Sequence, residues 1–284
     1  MYCGMYYLTL QREETTMKNE KIVFIGGGNM AEGIIRGVVK DSSFDPKSIY
    51  VYDIIPERML FLHNTYGVST CDTLKDAALL ADILVFAVRP QDAEAVSLQV
   101  APFLKDNNIF VSICAGVSMD TFAGYLGDGA KIVRVMPNTL TEAHHGYSAV
   151  CLNKNTSNEE VKTVVSMLEA IGQVMEIQES YFDTFTAYSC AGPAYLLYIM
   201  SAMVDAGVRA GFSRKDARAM TIENMLGTAI KLEQTGLHPN VILDTMTSPA
   251  GVGIEGIYAL NEKGVAGAIM HGVEEAIKRS NKLG

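Results

Sequence analysis

Lys21–Gly33 reads KIVFIGGGNMAEG, and this stretch decides the fold. Lys21–Ile25 is a short apolar, β-branched run, as a strand buried on both faces requires. It leads directly into Gly26-Gly27-Gly28-Asn29-Met30-Ala31, a G-x-G-x-x-A turn from which a helix begins. Gly26 permits the tight turn, Gly28 lets the backbone approach a pyrophosphate, and Ala31 lets the helix pack closely on the sheet. The phosphates would lie on free N–H groups where Asn29 and Met30 open the helix, at the end whose dipole favours negative charge. Glycine-rich turns also serve packing alone, so the turn needs context. Here it follows a strand, precedes a helix, and is followed by a second strand ending at Asp53, 25 residues beyond Gly28. That arrangement predicts a bound dinucleotide.

Asp53 bears on which one. A carboxylate at the end of the second strand accepts a hydrogen bond from the ribose 2′-OH and repels a 2′-phosphate. NADH is therefore favoured over NADPH within an NAD(P)H-binding site. Arg58, one turn into the next helix, is the competing partner for a 2′-phosphate, but its default role is a solvated surface residue.

Outward from this motif, apolar runs recur at Ile49–Tyr52, Ile83–Val88, Ile109–Cys114 and Lys131–Met136, each separated by a helical stretch. Alternating strands and helices imply an α/β fold with a doubly wound parallel sheet. Tyr147–Leu152 and Gln173–Ile177 read as two further strands around a helix whose inner stripe is Val161, Val164, Val165, Leu168 and Ile171. Ligands bind such sheets beyond the carboxyl ends of the strands. Further cofactor contacts are therefore expected at Val88, Arg89 and Pro90, at Ala115 and Gly116, and at Asn138. Small residues at Ala115 and Gly116 would let a nicotinamide ring lie flat.

After about Glu179 strand signals vanish. Pro193–Ala210 reads as one helix. Ser213-Arg214-Lys215-Asp216 has the form of a capping box, opening a helix with Ala217, Ile222, Met225, Leu226 and Ala229 inward and Gly236 at its end. A last helix aligns Val265, Ile269, Val273 and Ile277. The expected organisation is a loose, disordered extension over 1–16, a dinucleotide-binding domain of Rossmann type over 17–178, and an all-helical dimerisation and substrate domain over 179–284. So few helices bury poorly alone, so a second copy is the natural cover.

Composition narrows the remaining classes. The 284 residues are 49% hydrophobic and 19% charged, which excludes intrinsic disorder. The net charge of −9 disfavours a nucleic-acid binder. Cys3, Cys71, Cys114, Cys151 and Cys190 are scattered, with no C-x-x-C pair. Neither a disulfide framework nor a metal site is expected, and a cytoplasmic location fits. Residues 1–16 lack a basic segment followed by a long apolar one, so they make a poor signal peptide. Ala187–Val204 is uncharged, but it contains Ser189, Gly192-Pro193 and three tyrosines, and Asp205 follows. It is read as a soluble helix buried in a large core or between subunits rather than a membrane span.

The chain resembles the pyrroline-5-carboxylate reductase family. The residues that carry this are Ile25–Met30 (IGGGNM), Ala87–Gln91 (AVRPQ, where the family usually has lysine for Arg89), Val133–Thr139 (VRVMPNT), Ser189–Tyr195 (SCAGPAY) and His238–Pro249 (HPNVILDTMTSP). The similarity spans nearly all of Met17–Leu283. It implies NAD(P)H-dependent reduction of a cyclic imine to L-proline and a helical dimerisation domain, in dimers able to assemble further. The expected substrate is a small molecule whose carboxylate would rest on Ser248, Gly251, Val252 and Gly253 at the start of a short helix; the alternative is an ordinary proline-glycine loop that caps this helix. Ser248 and Gly253 occupy the positions expected to serve catalysis.

The sequence departs from the family there. The family loop reads T-S-P-G-G-x-T, and its final threonine hydroxyl is assigned to substrate contact or protonation. This chain has Gly253 at that threonine and Ala250 at the first glycine of the pair. The family's S-G-S-G-P-A-Y likewise becomes SCAGPAY. A related cyclic imine or keto acid, or a dinucleotide-binding regulator without turnover, are the alternatives these changes raise. A β-hydroxyacid dehydrogenase would need a catalytic lysine in the helical domain. Lys231 lacks the usual context and reads as a solvated helix residue. His144-His145 read as solvated loop and Cys190 as a packing residue. Tyr195 is open between a hydroxyl in the site and aromatic packing at the dimer contact.

Overall fold

The computed structural model describes residues 20–41, 44–138, 140 and 145–282. The expected extension over 1–16 lies outside them, as does His144. The described residues form two compact units, one running to Cys190 and resuming at Ile277, the other Ala191–Ala276.

The first unit is built on strands β1 (Ile22–Ile25), β2 (Ile49–Tyr52), β3 (Ser69–Thr70), β4 (Ile83–Phe86), β5 (Ile109–Ser112), β6 (Lys131–Pro137), β7 (Gly146–Leu152) and β8 (Gly172–Glu176). They form one sheet in the order β3-β2-β1-β4-β5-β6-β7-β8. Every residue of β1, β4 and β5 is buried, which explains their unbroken apolar character. Helices α1 (Asn29–Asp41), α2 (Pro56–Tyr66) and α6 (Lys162–Glu169) cover one face, where Ile34, Leu62 and Leu168 meet Phe24, Val85 and Val133 in one core. Helices α3 (Leu74–Leu80), α4 (Ala93–Val100) and α5 (Met119–Leu126) cover the other. There the ring of Phe110 lies 5.0 Å from Phe86 and 5.1 Å from Phe122.

Two expectations are corrected in this unit. The sheet is mixed rather than all parallel, because β7 pairs antiparallel with β6. Residues 138–145 are too short for the crossover of about a dozen residues that a parallel return needs. β4 and β5 stop two residues short of the apolar runs that announced them. The Ala87 N–H still bonds the Ile25 carbonyl at 2.8 Å, so the chain stays extended as it leaves the sheet. The first compact unit also takes in Glu179–Cys190. The Glu179 carboxylate accepts from the buried Arg134 guanidinium at 2.8 Å and from the Met119 N–H at 2.7 Å. Phe182, in α7 (Phe182–Phe185), is buried beside Met136 and Ala149, under the Arg134 guanidinium. These contacts hold 179–190 to the sheet.

The second unit holds α8 (Gly192–Arg209), α9 (Arg214–Thr235), α10 (Pro239–Thr245), α11 (Val252–Glu262) and most of α12 (Val265–Ser280). The expected cap is present: the Ser213 hydroxyl accepts from the Asp216 N–H at 3.1 Å, and Gly236 ends α9 in the left-handed conformation. Helices α8 and α9 approach so closely that a Cβ on Gly207 would stand 2.8 Å from that of Ala217. The inward face of α9 is narrower than expected. Ala217 and Thr221 are buried, whereas Leu226 and Ala229 are exposed. Of the two places expected to bury α8, a large core or a subunit contact, the core of this chain is not one. No residue of α8 is buried within the chain, and Tyr198 is 79% exposed.

Candidate functional site

The strand order β3-β2-β1-β4-β5-β6 reverses direction between β1 and β4, and α/β sheets open their ligand crevice at that switch point. The structure brings the sequence-predicted cofactor residues of five strand ends to this edge. Gly26 follows β1, Asp53 follows β2, Val88, Arg89 and Pro90 follow β4, Ala115 and Gly116 follow β5, and Asn138 follows β6.

Gly26 has φ +96°, and a Cβ there would lie 2.5 Å from the Ala87 carbonyl oxygen. No other residue type can make this turn without prising β1 from β4. Gly28 is exposed, with nothing within 4 Å of the place its Cβ would take, so a phosphate can reach the backbone. Asn29 opens α1, whose first N–H groups have no intrahelical partner. These features fit a dinucleotide pyrophosphate. Ala115 is exposed and Gly116 turns through φ +75°. Arg89 is exposed and ion-paired with Asp92 at 2.8 Å.

Asp53 reaches back to the glycine-rich turn. Its Oδ2 accepts from the Gly27 N–H at 2.7 Å and its Oδ1 from the Ile55 N–H at 2.9 Å. Each oxygen keeps a lone pair for a ribose hydroxyl. Arg58 departs from its default reading as a solvated residue. Its Nε donates to the Gly27 carbonyl, its terminal nitrogen pairs with Glu32, and its guanidinium lies over the Phe61 ring at 5.1 Å. The Tyr66 hydroxyl donates to the other Glu32 oxygen at 2.8 Å. Burial acts to raise the Glu32 pKa, but the bonds from Arg58 and Tyr66, with the charges of Arg58 and Arg36, outweigh it and hold the carboxyl below its usual range. Glu32 carries no motif signal, so it was not among the expected site residues.

Asn138 does not face outward. It is 4% exposed, and its Oδ1 accepts from the Leu140 and Tyr147 N–H groups, both at 3.1 Å. Its side chain closes the turn after β6. Cys190 packs as expected, with Sγ 3.6 Å from the Pro137 carbonyl oxygen, and burial pushes its thiol pKa up to about 12, which rules out a thiolate nucleophile. His145 and Lys231 are exposed. No cluster of potential metal ligands occurs among the described residues.

In the helical unit, Thr247–Gly251 leads into α11. Gly251 is the N-cap, with no side-chain cap, and the Ser248 hydroxyl lies against it, 2.3 Å from where a Cβ would be. Val252 and Gly253 are exposed in the first turn. Ala250 has φ +56°, a left-handed conformation that costs about 1–2 kcal/mol outside glycine. The first turn of α11 thus offers uncapped N–H groups beside a hydroxyl, the donor set for a carboxylate.

Two stretches match described families. Residues 179–283 match "Pyrroline-5-carboxylate reductase dimerisation", and residues 21–116 match "NADP oxidoreductase coenzyme F420-dependent". Among curated proteins, the pyrroline-5-carboxylate reductase of Methanosarcina acetivorans is 33% identical over 94% of this chain and 99% of its own. That of Escherichia coli is 32% identical over 93% and 98%. Among solved structures, the Coxiella burnetii pyrroline-5-carboxylate reductase superposes with a TM-score of 0.88 at 28% identity, covering 93% of this chain and 98% of that one. The Plasmodium falciparum pyrroline carboxylate reductase with NADP bound gives 0.85 at 27% identity, covering 94% and 99%.

Proposed function

Because this chain belongs to the pyrroline-5-carboxylate reductase family, we propose that it reduces 1-pyrroline-5-carboxylate to L-proline with NAD(P)H. The observation that carries this reading is the likeness along the whole chain, sheet unit and helical unit alike, to enzymes of that name. A dinucleotide held on the glycine-rich turn would supply a hydride. A cyclic imine protonated in water is already an electrophile. The hydride adds to the imine carbon, the C=N pair moves to nitrogen, and a secondary amine results without a strong protein acid. The task left to the protein is positioning.

Gly26, Gly28, Asn29 and Met30 hold the pyrophosphate, Asp53 the ribose, and Val88, Arg89, Pro90, Ala115 and Gly116 line the nicotinamide end. Ser248 and the N–H groups of Val252 and Gly253 take the substrate carboxylate, with Gly251 as the N-cap whose own N–H bonds the Ser248 carbonyl at 3.0 Å. The exposed apolar residues of α8 and α9, among them Leu197, Tyr198 and Leu226, form the contact with a second copy in a homodimer, itself able to assemble further. The run Glu179–Arg209 is long and apolar enough to cross a membrane, and we assign its exposed part, α8, to this subunit contact in a cytoplasmic protein. The net charge of −9 disfavours nucleic acid as a partner.

Purified protein with NADH and 1-pyrroline-5-carboxylate should oxidise the cofactor. Absence of turnover with either NADH or NADPH, while cofactor binding persists, would favour the second reading, a dinucleotide-binding regulator, which rests on Gly253. Gly253→Thr addresses that position. A Cβ there stands 3.3 Å from the Met246 carbonyl oxygen, so a threonine fits after a shift of a few tenths of an ångström. One added hydrogen bond of about 1 kcal/mol should raise kcat/KM about fivefold. An unchanged value in a folded variant would mean the loop works without that hydroxyl.

Cofactor choice is read from Asp53. Asp53→Ser removes the charge that repels a 2′-phosphate and keeps an acceptor near the Gly27 N–H. The ratio of NADPH to NADH dissociation constants should fall about tenfold, or 1.4 kcal/mol. An unchanged ratio would refute this role for Asp53.

A further inference from the structure

The polar groups of Gly27 are both taken by side chains from the ribose side of the turn. Asp53 holds its N–H and Arg58 holds its carbonyl. Arg58, in the first turn of α2, is the cation placed to meet a 2′-phosphate beside Asp53, as an arginine does in NADPH-binding folds of this class. Its charge is already engaged. Glu32, one turn into α1, pairs with the terminal guanidinium nitrogen, Tyr66 steadies the carboxylate from its other side, and Phe61 backs the guanidinium plane. The side chains are only 24% and 18% exposed for Arg58 and Glu32, so water screens the pair less than it would on an open surface. Arg36, one turn further along α1, also acts on Glu32 electrostatically.

We propose that Glu32 is a positioning residue for cofactor choice: it latches Arg58 to the glycine-rich turn, so that the guanidinium braces Gly27 instead of receiving the 2′-phosphate of NADPH. The idea rests on the NADH reading of Asp53 and deepens it. Asp53 repels the phosphate, and Glu32 withholds the cation that would compensate. Opening the latch leaves Arg58 with a free charge in the same place. The gain for a 2′-phosphate must then depend on Arg58, which separates this device from simple removal of a negative charge.

The test uses the full chain and equilibrium binding of NADH, NADPH and 2′,5′-ADP, the last of which probes the phosphate without the nicotinamide. Wild type is compared with Glu32→Ala, Glu32→Gln, Arg58→Met and the Glu32→Ala/Arg58→Met double variant, with circular dichroism on each. Glu32→Ala should tighten NADPH and 2′,5′-ADP relative to NADH at least about fivefold, and the double variant should lose that gain. Glu32→Gln, which keeps the shape and loses the charge, should move the same way by a smaller factor and serves if the alanine variant fails to fold. An unchanged NADPH-to-NADH ratio in the folded glutamate variants overturns the latch. So does a gain that survives in the double variant. Wild type that binds NADPH more tightly than NADH would instead overturn the underlying NADH reading, and this is visible before any variant is made.

Discussion

Gly26→Ala should weaken NADH binding by about two orders of magnitude. The residue sits at φ +96°, where an L side chain costs about 1–2 kcal/mol, and the new Cβ would stand 2.5 Å from the Ala87 carbonyl oxygen. The obstacle is backbone at the end of β4, held by the Ala87 N–H bond to the Ile25 carbonyl, so no flexible side chain can yield. Either the glycine-rich turn lifts away or β1 and β4 part. In both cases the N–H groups of Gly28 and Asn29 leave their places, and a displacement of about 1 Å at such a clasp costs about 100-fold. Titration with NADH, alongside thermal unfolding, measures both consequences. Binding within threefold of wild type would show that the pyrophosphate does not rest on this turn.

Glu179→Ala should destabilise the first unit more than other single surface changes. Arg134 is 6% exposed, and its Nε has no hydrogen-bond partner among the described residues. Its charge is met by Glu179 at 2.8 Å and by the face of Phe182, 4.7 Å from the ring centroid. Removing one partner of a buried pair leaves the other charge uncompensated, which costs about 3–5 kcal/mol in the limit of full burial. Glu179 is about a quarter exposed, so solvent screening brings the expected loss to about 2–3 kcal/mol. For a chain of this size that corresponds to a fall of about 5–10 °C in Tm. Glu179→Gln, which can still accept from Arg134 and from the Met119 N–H, should lose about half as much. A Glu179→Ala variant melting with wild type would mean that Phe182 and solvent alone carry the arginine.

The parts of this structure legible in the sequence are those with a local signal. β1, β4 and β5 declare themselves because strands buried on both faces must be apolar at consecutive positions, and the turn at Gly26 because its backbone admits little else. Asp53 was placed by its distance from that turn. β3, only Ser69–Thr70, carries no such pattern and passed unseen. The antiparallel β7 was misread because a run of apolar residues does not record strand direction. Arg58 and Glu32 are 26 positions apart, and Arg134 and Glu179 are 45 apart, so neither pair is visible until the sheet brings its partners together. Asn138 shows the converse case. A polar residue at a strand end looked available to a ligand, yet its carbonyl oxygen was needed by the turn itself. The helical unit was legible as helices, but which faces stay uncovered follows only from the packing of α8 on α9.

The reaction proposed for this chain passes a hydride from a nicotinamide to the imine carbon of 1-pyrroline-5-carboxylate. Incubating the protein with NADH deuterated at C4 and with that imine, then examining the product by mass spectrometry, tests it directly. Where the transferred position carries the label, the prediction is L-proline with one deuterium on its δ carbon, formed faster from NADH than from NADPH. Proline without the label, or no proline from either cofactor while both remain bound, would contradict the account.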